Sequence, residues 1–440
     1  MTGQRRQLGL VAATAIVTGE SISLGIFLTP ASMSHTLASP LLVALVWLAM
    51  ALMTISGALC YAELAVRYPV SGGEYVYLEA GYGEQTAFLY GWMSSIIMYP
   101  GVAAALAVGM MTYFVQVAPI HGLALSLAPA LLLCVFCIVN LIGTRLSGGL
   151  MSTLNMVKLA LLFGLVTWDA ISGRAHVANL FPLAQRQVNS MPLLPAIAGA
   201  TVGAFFSFGG WWELGKLAGE IRDPRRTLPL ALLGGVSIVT VVYLLISGMF
   251  LAVVPIGRVT TDTGFIAQFG AALFGSAGGR ILSACVVLCV LGGISALTMA
   301  APRVCFAMAR RGAFFAPFGR EHPRFGTPAN AILLQTGLSL GVLLLGAFDR
   351  VLSYIIFSAI LFLALTVSTL FRAKEPVRAW WYPWAPILFI VFCILIDLLI
   401  LVHDPLPALA GVAIILLGIP LRRFAAGSIT PTLATEGGNT

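Results

Sequence analysis

Runs of about twenty apolar residues, almost free of charge, recur along this chain from one end to the other. At a rise of about 1.5 Å per residue, one such helical run matches the roughly 30 Å hydrocarbon core of a bilayer. Between turn and charge signals there are twelve: 8–28, 38–66, 85–115, 124–143, 150–173, 193–218, 229–253, 278–307, 328–347, 351–372, 383–402 and 405–423. They are solidly apolar and lack the alternation of a barrel wall, so the spacing predicts helices. Only 9% of the 440 residues are charged, against about 25% in soluble domains. A soluble protein of this size could not cover its surface with so few. The expected fold is an all-α polytopic membrane protein of twelve transmembrane helices with short connections and no extramembrane domain, which excludes secreted scaffolds, disordered chains and soluble enzymes.

Arg5 and Arg6 followed by an apolar run imitate a secretory signal. No small-residue cleavage site follows, so the run is read as the first span. Orientation follows from basic residues in the loops. A cytoplasmic N-terminus places Arg67, Arg145, Arg222, Arg225, Arg226, Arg310, Arg311, Arg320, Arg324, Arg372, Lys374, Arg378, Arg422 and Arg423 on the cytoplasmic face, leaving Arg174, Arg186, Arg258, Arg280 and Arg350 opposite. Both termini are then cytoplasmic in a plasma (inner) membrane, with 424–440 a disordered tail. The net charge of +8 reflects topology and anionic lipid rather than nucleic acid. The seven cysteines all fall inside spans, an odd count at depths that do not suit a disulfide framework. Cys134 and Cys137 have the spacing of a redox or metal pair but no histidine or carboxylate beside them, so they read as packing residues.

Two spans are interrupted. The first contains Gly19-Glu20-Ser21-Ile22-Ser23-Leu24-Gly25, and the sixth contains Phe206-Ser207-Phe208-Gly209-Gly210. Paired interruptions at corresponding places in successive five-helix blocks point to an inverted-repeat transporter with its site at the midplane. The blocks are 8–173 and 193–372, with 383–423 adding two C-terminal helices. A half-helix beginning near Gly25 offers backbone N–H groups to a carboxylate. A half-helix ending near Phe206–Phe208 offers carbonyls to an ammonium. Unpaired backbone groups survive in a membrane only beside a polar cavity. One end for –COO⁻ and another for –NH₃⁺ describes an amino acid site.

With these motifs in view, the chain resembles the amino acid–polyamine–organocation superfamily, and within it the L-type amino acid transporter branch. The resemblance runs from about residue 6 to about 423 and rests on four motifs in order. They are Gly25-Ile26-Phe27 with Pro30; Gly57-Ala58-Leu59-Cys60-Tyr61-Ala62-Glu63-Leu64 followed by Tyr68-Pro69-Val70-Ser71-Gly72-Gly73-Glu74-Tyr75; Glu220-Ile221-Arg222-Asp223-Pro224 followed by Leu228-Pro229; and Gly292-Gly293 with Arg303. It implies a substrate carboxylate at Ser23, Leu24 and Gly25, with Ile22 adjoining. It implies an ammonium at the carbonyls of Phe206, Ser207 and Gly209, with Phe206 as an aromatic that closes over the substrate. The sequence departs from the branch at Ser23-Leu24, usually Gly-Ser. It departs again at Glu20, usually small or an amide; at Trp212, usually Asn; and at Lys216, usually aromatic. Eukaryotic members of the branch carry a cysteine in the loop after the third span for a disulfide-linked heavy chain. Residues 116–123 contain none, so no such partner is expected, and the chain is read as a monomer or weak homo-oligomer.

Charges inside spans are few enough to interpret singly. Lys158 lies roughly 8 residues past the start of the fifth span, about 12 Å deep. A snorkelling lysine is the bland reading. The functional one is an ammonium tied to the first half of helix 1 and to the hydroxyls of Ser295 and Thr298. By resemblance, a lysine there stands where sodium-driven relatives hold their cation, which makes transport sodium-independent. Glu20 is expected either to pair structurally, with Lys158 as one candidate, or to select substrate or carry a proton. Glu213 and Lys216 are three apart and expected to pair, with Lys216 snorkelling to the cytoplasmic surface. Glu63, Glu74, Arg222 and Arg303 read as gating or loop-packing residues, and Trp211 and Trp212 as packing.

No nucleophile–base pair, metal cluster or phosphate-binding loop is present, so neither an enzyme nor an ATP-driven pump is expected, and no cofactor or metal. The function expected is secondary transport of L-amino acids by alternating access, as sodium-independent exchange. Proton-coupled symport of an amino acid or amine is the alternative, and a non-transporting amino acid sensor the alternative of another class.

Overall fold

The computed structural model describes residues 6–428, apart from 24, 187–189, 260–262, 347, 374, 376, 378–380 and 404. Side chains at 263–264, 348–355, 403, 407 and 423–428 are likewise left aside. Seventeen helices follow one another among the described residues. They are α1 (Leu10–Ser21), α2 (Gly25–Leu37), α3 (Pro40–Arg67), α4 (Glu74–Tyr82), α5 (Glu84–Met93), α6 (Tyr99–Val117), α7 (Leu123–Ile142), α8 (Thr144–Ser172), α9 (Leu193–Phe208), α10 (Pro224–Val253), α11 (Thr263–Phe274), α12 (Gly278–Ala300), α13 (Pro302–Arg310), α14 (Ala329–Leu345), α15 (Phe348–Ser368), α16 (Trp384–His403) and α17 (Pro405–Ser428). Among the described residues, nine stretches, some made of helices in tandem, are long and apolar enough to cross a membrane. With the shorter apolar helices of the α14, α15 and α17 regions, they account for the twelve spans expected. The chain is a multi-pass membrane protein.

Boundaries follow local chemistry. Pro40 and Pro224 open α3 and α10, where a missing N–H costs nothing. Pro100 lacks the N–H that would bond back into the third span, and its ring crowds the preceding turn. A π-helical turn, Ser94–Met98, lies immediately before it and joins α5 to α6. The first span reaches Leu37 rather than 28, because Pro30 is accommodated inside α2. α4 and α11 were not anticipated; both are short connecting helices. The last helix continues to Ser428, past the expected end at 423, while the rest of the expected tail lies outside the described residues.

α1 is enclosed by α8, α10 and α12, while α2 runs along α9. The two interrupted spans therefore meet each other at the centre. On α7, Leu123, Leu127, Leu131, Val135, Ile138 and Ile142 form one exposed ridge at helical spacing. An exposed apolar ridge of that length suits contact with lipid tails. All seven cysteines are free.

Candidate functional site

α1 stops at Ser21 and α2 starts at Gly25, where the sequence placed the break. Leu24 lies outside the described residues. A Cβ on Gly25 would fall 2.6 Å from the Ser207 hydroxyl oxygen and 2.9 Å from Ser207 Cα, so only glycine lets α2 approach α9 this closely. α9 ends at Phe208, and the chain turns through Gly210 at φ +97°, a conformation costly for any residue with a Cβ. Beyond it, Trp211–Glu220 winds as a 3₁₀ helix. Three residues complete each 3₁₀ turn, so side chains three apart stack directly.

Between the two breaks lies a cavity of about 540 Å³. Its lining includes Glu20, Ser21, Ser23 and Gly25 of the first span, and Phe205, Phe206, Gly209, Gly210, Trp212 and Glu213 of the sixth. Glu74 of α4 and Tyr90 of α5 join them, and the wall continues along α6 through Tyr99, Val102 and Leu106 to Thr112. From Met98 to Thr112 that is roughly 20 Å of helix. Phe206 is 41% exposed.

Not every expected contact faces this space. Ile22, Ser207 and Phe208 are buried behind the lining. The Ile22 carbonyl accepts from Lys158, and the Ser207 hydroxyl donates within reach of Thr29 (2.6 Å) and the Gly203 carbonyl (3.1 Å). Phe208 packs against Trp47 and Tyr243. The Phe206 carbonyl accepts the Gly209 N–H at 3.1 Å.

Lys158 is fully buried and does not snorkel. Its ammonium donates to the carbonyls of Gly19 (2.8 Å) and Ile22 (2.5 Å), capping the broken end of α1. Three residues earlier, the Asn155 amide donates to the Thr18 hydroxyl at 2.7 Å. The expected tie to α12 hydroxyls is corrected. Lys158 meets α12 at Gly292, where a Cβ would lie 2.9 Å from Nζ, and no hydrogen bond to Ser295 or Thr298 is formed among the described residues. Thr298 is engaged instead with the Ile294 carbonyl and the Asn140 amide. Glycine allows the lysine stem to cross where a serine would not. Nor does Glu20 pair with Lys158: it packs against Gly210, with Oε2 buried and without a hydrogen-bond partner.

The expected Glu213–Lys216 pair forms at 2.6 Å. The surface position expected for Lys216 does not hold. Its side chain is fully buried, 3.1 Å from Glu74 and 5.2 Å from the centre of the Tyr99 ring. The 3₁₀ turn stacks it over Glu213 and turns both inward. The Tyr99 hydroxyl donates to Glu213 at 3.1 Å and meets the Tyr90 hydroxyl at 3.2 Å. Glu74 thus joins the cavity wall rather than a loop.

Sequence reasoning also missed Tyr243 of α10. Its buried hydroxyl reaches the Ser21 carbonyl (2.6 Å) and the Ser207 carbonyl, joining the ends of both interrupted helices. The N-terminal segment pairs with the end of the sixth span through Leu8 and Ile221. There Arg303 grips Glu220 in a bidentate buried pair at 2.9 and 3.3 Å. Glu63 pairs with Arg67 one turn on, at 2.7 Å.

Comparison with known proteins agrees with this architecture. A family model described as amino acid permease matches residues 8–417. The serine/threonine exchanger SteT of Bacillus subtilis (strain 168) is 30% identical over 433 residues, covering 95% of this chain and 96% of that protein. The Asc-type amino acid transporter 1 of Mus musculus is 27% identical over 429 residues, covering 95% of this chain and 80% of that protein. The large neutral amino acids transporter small subunit 2 of Oryctolagus cuniculus is 28% identical over 434 residues, with the same coverages of 95% and 80%. These relatives are transporters, not enzymes. A match along nearly the whole length, on a chain whose first and sixth spans break around one cavity, places this protein in the amino acid permease family of the amino acid–polyamine–organocation superfamily.

Proposed function

We propose that this protein exchanges L-amino acids across the plasma (inner) membrane by alternating access, without sodium, with both termini in the cytoplasm. The observation that carries the reading is the meeting of two broken helices at one cavity. The break before α2, with Ser23 and the first residue of the helix, Gly25, receives the carboxylate. The end of α9 receives the ammonium at Phe206 and Gly209, which line the cavity, with Ser207 and Phe208 behind them. Its carbonyls that already accept one hydrogen bond keep a second lone pair. The names of the relatives, an exchanger of serine and threonine and transporters of amino acids, support the same chemistry.

Sodium independence rests on Lys158, whose ammonium occupies the carbonyl cluster at the end of α1. The cavity wall follows α6 toward Thr112, and in the orientation argued from basic loops that end faces outside. With Phe206 exposed and the Arg303–Glu220 pair closed at the other side, this is the outward-facing member of the cycle. Residues 8–173 and 193–372 form the two inverted repeats, and the chain works as a monomer or weak homo-oligomer without a disulfide-linked partner.

Counterflow in proteoliposomes tests the proposal. Internal unlabelled amino acid should accelerate uptake of labelled amino acid, equally in sodium and potassium buffers. Saturable binding without counterflow would instead identify a sensor, and uptake that rises with an inward proton gradient would identify a symporter.

A further inference from the structure

We infer that the acidic wall of the cavity receives the cationic end of a dibasic amino acid, so that the exchanged substrates carry a second positive charge. This rests on the proposed amino acid transport and narrows it. Three carboxylates, Glu20, Glu74 and Glu213, line the cavity, and one ammonium, Lys216, answers them. Lys158, the other buried lysine of the region, is committed to the Gly19 and Ile22 carbonyls.

The hydrogen bonds leave specific atoms open. Glu213 uses Oε1 for both Lys216 and the Tyr99 hydroxyl, while its Oε2 is buried with no hydrogen-bond partner. Its side chain is only 1% exposed and borders the cavity. Glu20 Oε2 is in the same condition. Glu20 also sits at the meeting of the two breaks, since a Cβ on Gly210 would fall 2.5 Å from its Cγ. The acidic wall therefore begins where the backbone groups proposed to hold the α-carboxylate and α-ammonium end.

Orphaned carboxylate oxygens in a low-dielectric site are costly and call for an explanation. A neutral apolar side chain would bury them without compensation. A guanidinium or ammonium would satisfy them with charge-assisted hydrogen bonds, released whenever the substrate leaves. Trp212 also borders the space, as does Tyr99, whose ring already lies beside the Lys216 ammonium. The volume of about 540 Å³ accommodates a long side chain as well as the α-carbon groups.

The test compares near-isosteres that differ in charge. Proteoliposomes containing the full chain are loaded with unlabelled amino acids, and counterflow of arginine is measured against citrulline, and of lysine against norleucine. The charged member of each pair should be preferred by at least about tenfold, the scale of a charge-assisted hydrogen bond. Glu20→Gln, a change at a carboxylate with no ion pair to disrupt, should lower the arginine-to-citrulline ratio by a similar factor. Equal rates for charged and neutral members, with counterflow operating, would overturn the inference and leave the transport reading standing. Neutral substrates driven by an inward proton gradient, with no charge preference, would also overturn it and give the acidic wall to a proton. Absence of counterflow with every amino acid would refute the transport reading itself.

Discussion

The ammonium of Lys158 lies 2.5 Å from the carbonyl oxygen of Ile22, inside the break of the first span. A side chain from α8 thereby completes the backbone hydrogen bonding that α1 abandons. Lys158→Ala would leave the Gly19 and Ile22 carbonyls bare, at about 1–3 kcal/mol each. The expected outcome is loss of counterflow with a lowered apparent melting temperature in detergent. Lys158→Arg should not rescue transport, because a planar fork cannot replace a point charge in so tight a place. Full activity in Lys158→Ala would remove the lysine from the mechanism.

Ser23 owes its place to a bare position on α12. A Cβ on Gly293 would fall 2.6 Å from the Ser23 hydroxyl oxygen and 3.1 Å from its Cβ. Gly293→Ala is expected to depress exchange at least about tenfold, a cost of overpacking, and Ser23→Gly in the same chain should restore much of it. A silent Gly293→Ala, measured by initial uptake rate, would show that the segment yields.

Tyr243 has a single phenolic proton and two carbonyls within reach, one from each interrupted helix. Tyr243→Phe keeps the ring packing on Trp47 and Phe208 but removes the donor. The expected loss is about 0.5–1.5 kcal/mol of stability with a larger effect on turnover than on substrate affinity. A saturation curve separates the two quantities, and an unchanged maximal rate would contradict the assignment.

Arg303 of α13 and Glu220 at the end of the sixth span form a buried bidentate pair. Removing one partner strands the other, at about 3–5 kcal/mol. Arg303→Met and Glu220→Gln should each lower the melting temperature, and the double variant should fall well short of their sum. Additive losses would mean that the two side chains act independently.

The breaks were legible because Gly and Ser in mid-span announce themselves in one dimension. Gly25 opens α2 and Phe208 closes α9 as read. The cavity wall was not legible. Glu74, Tyr99, Glu213 and Lys216 come from three separate segments, and a sequence gives no distances between segments. Lys216 was misread for a local reason as well. The expectation that it would snorkel toward the surface assumed an ordinary α-helical path, whereas the 3₁₀ winding of Trp211–Glu220 stacks Lys216 on Glu213 and carries both inward. The helix Glu74–Tyr82 is nine residues with Glu and Gly among them and owes its burial to its surroundings.

Tyr90 and Tyr99 are nine residues apart, which in a regular α-helix sets them about 180° apart, on opposite faces. Their hydroxyls nevertheless meet at 3.2 Å. The wide turn at Ser94–Met98 holds one residue more than an α-turn would, and this brings the angle down to about 80°. The third span is thus an α-helix carrying a stored insertion. A chain one residue shorter within 94–98 should keep every later side chain facing the cavity, whereas the same deletion a few turns further along would swing the wall by about 100°. Length, elsewhere in a membrane helix a rigid quantity, is negotiable at this one turn.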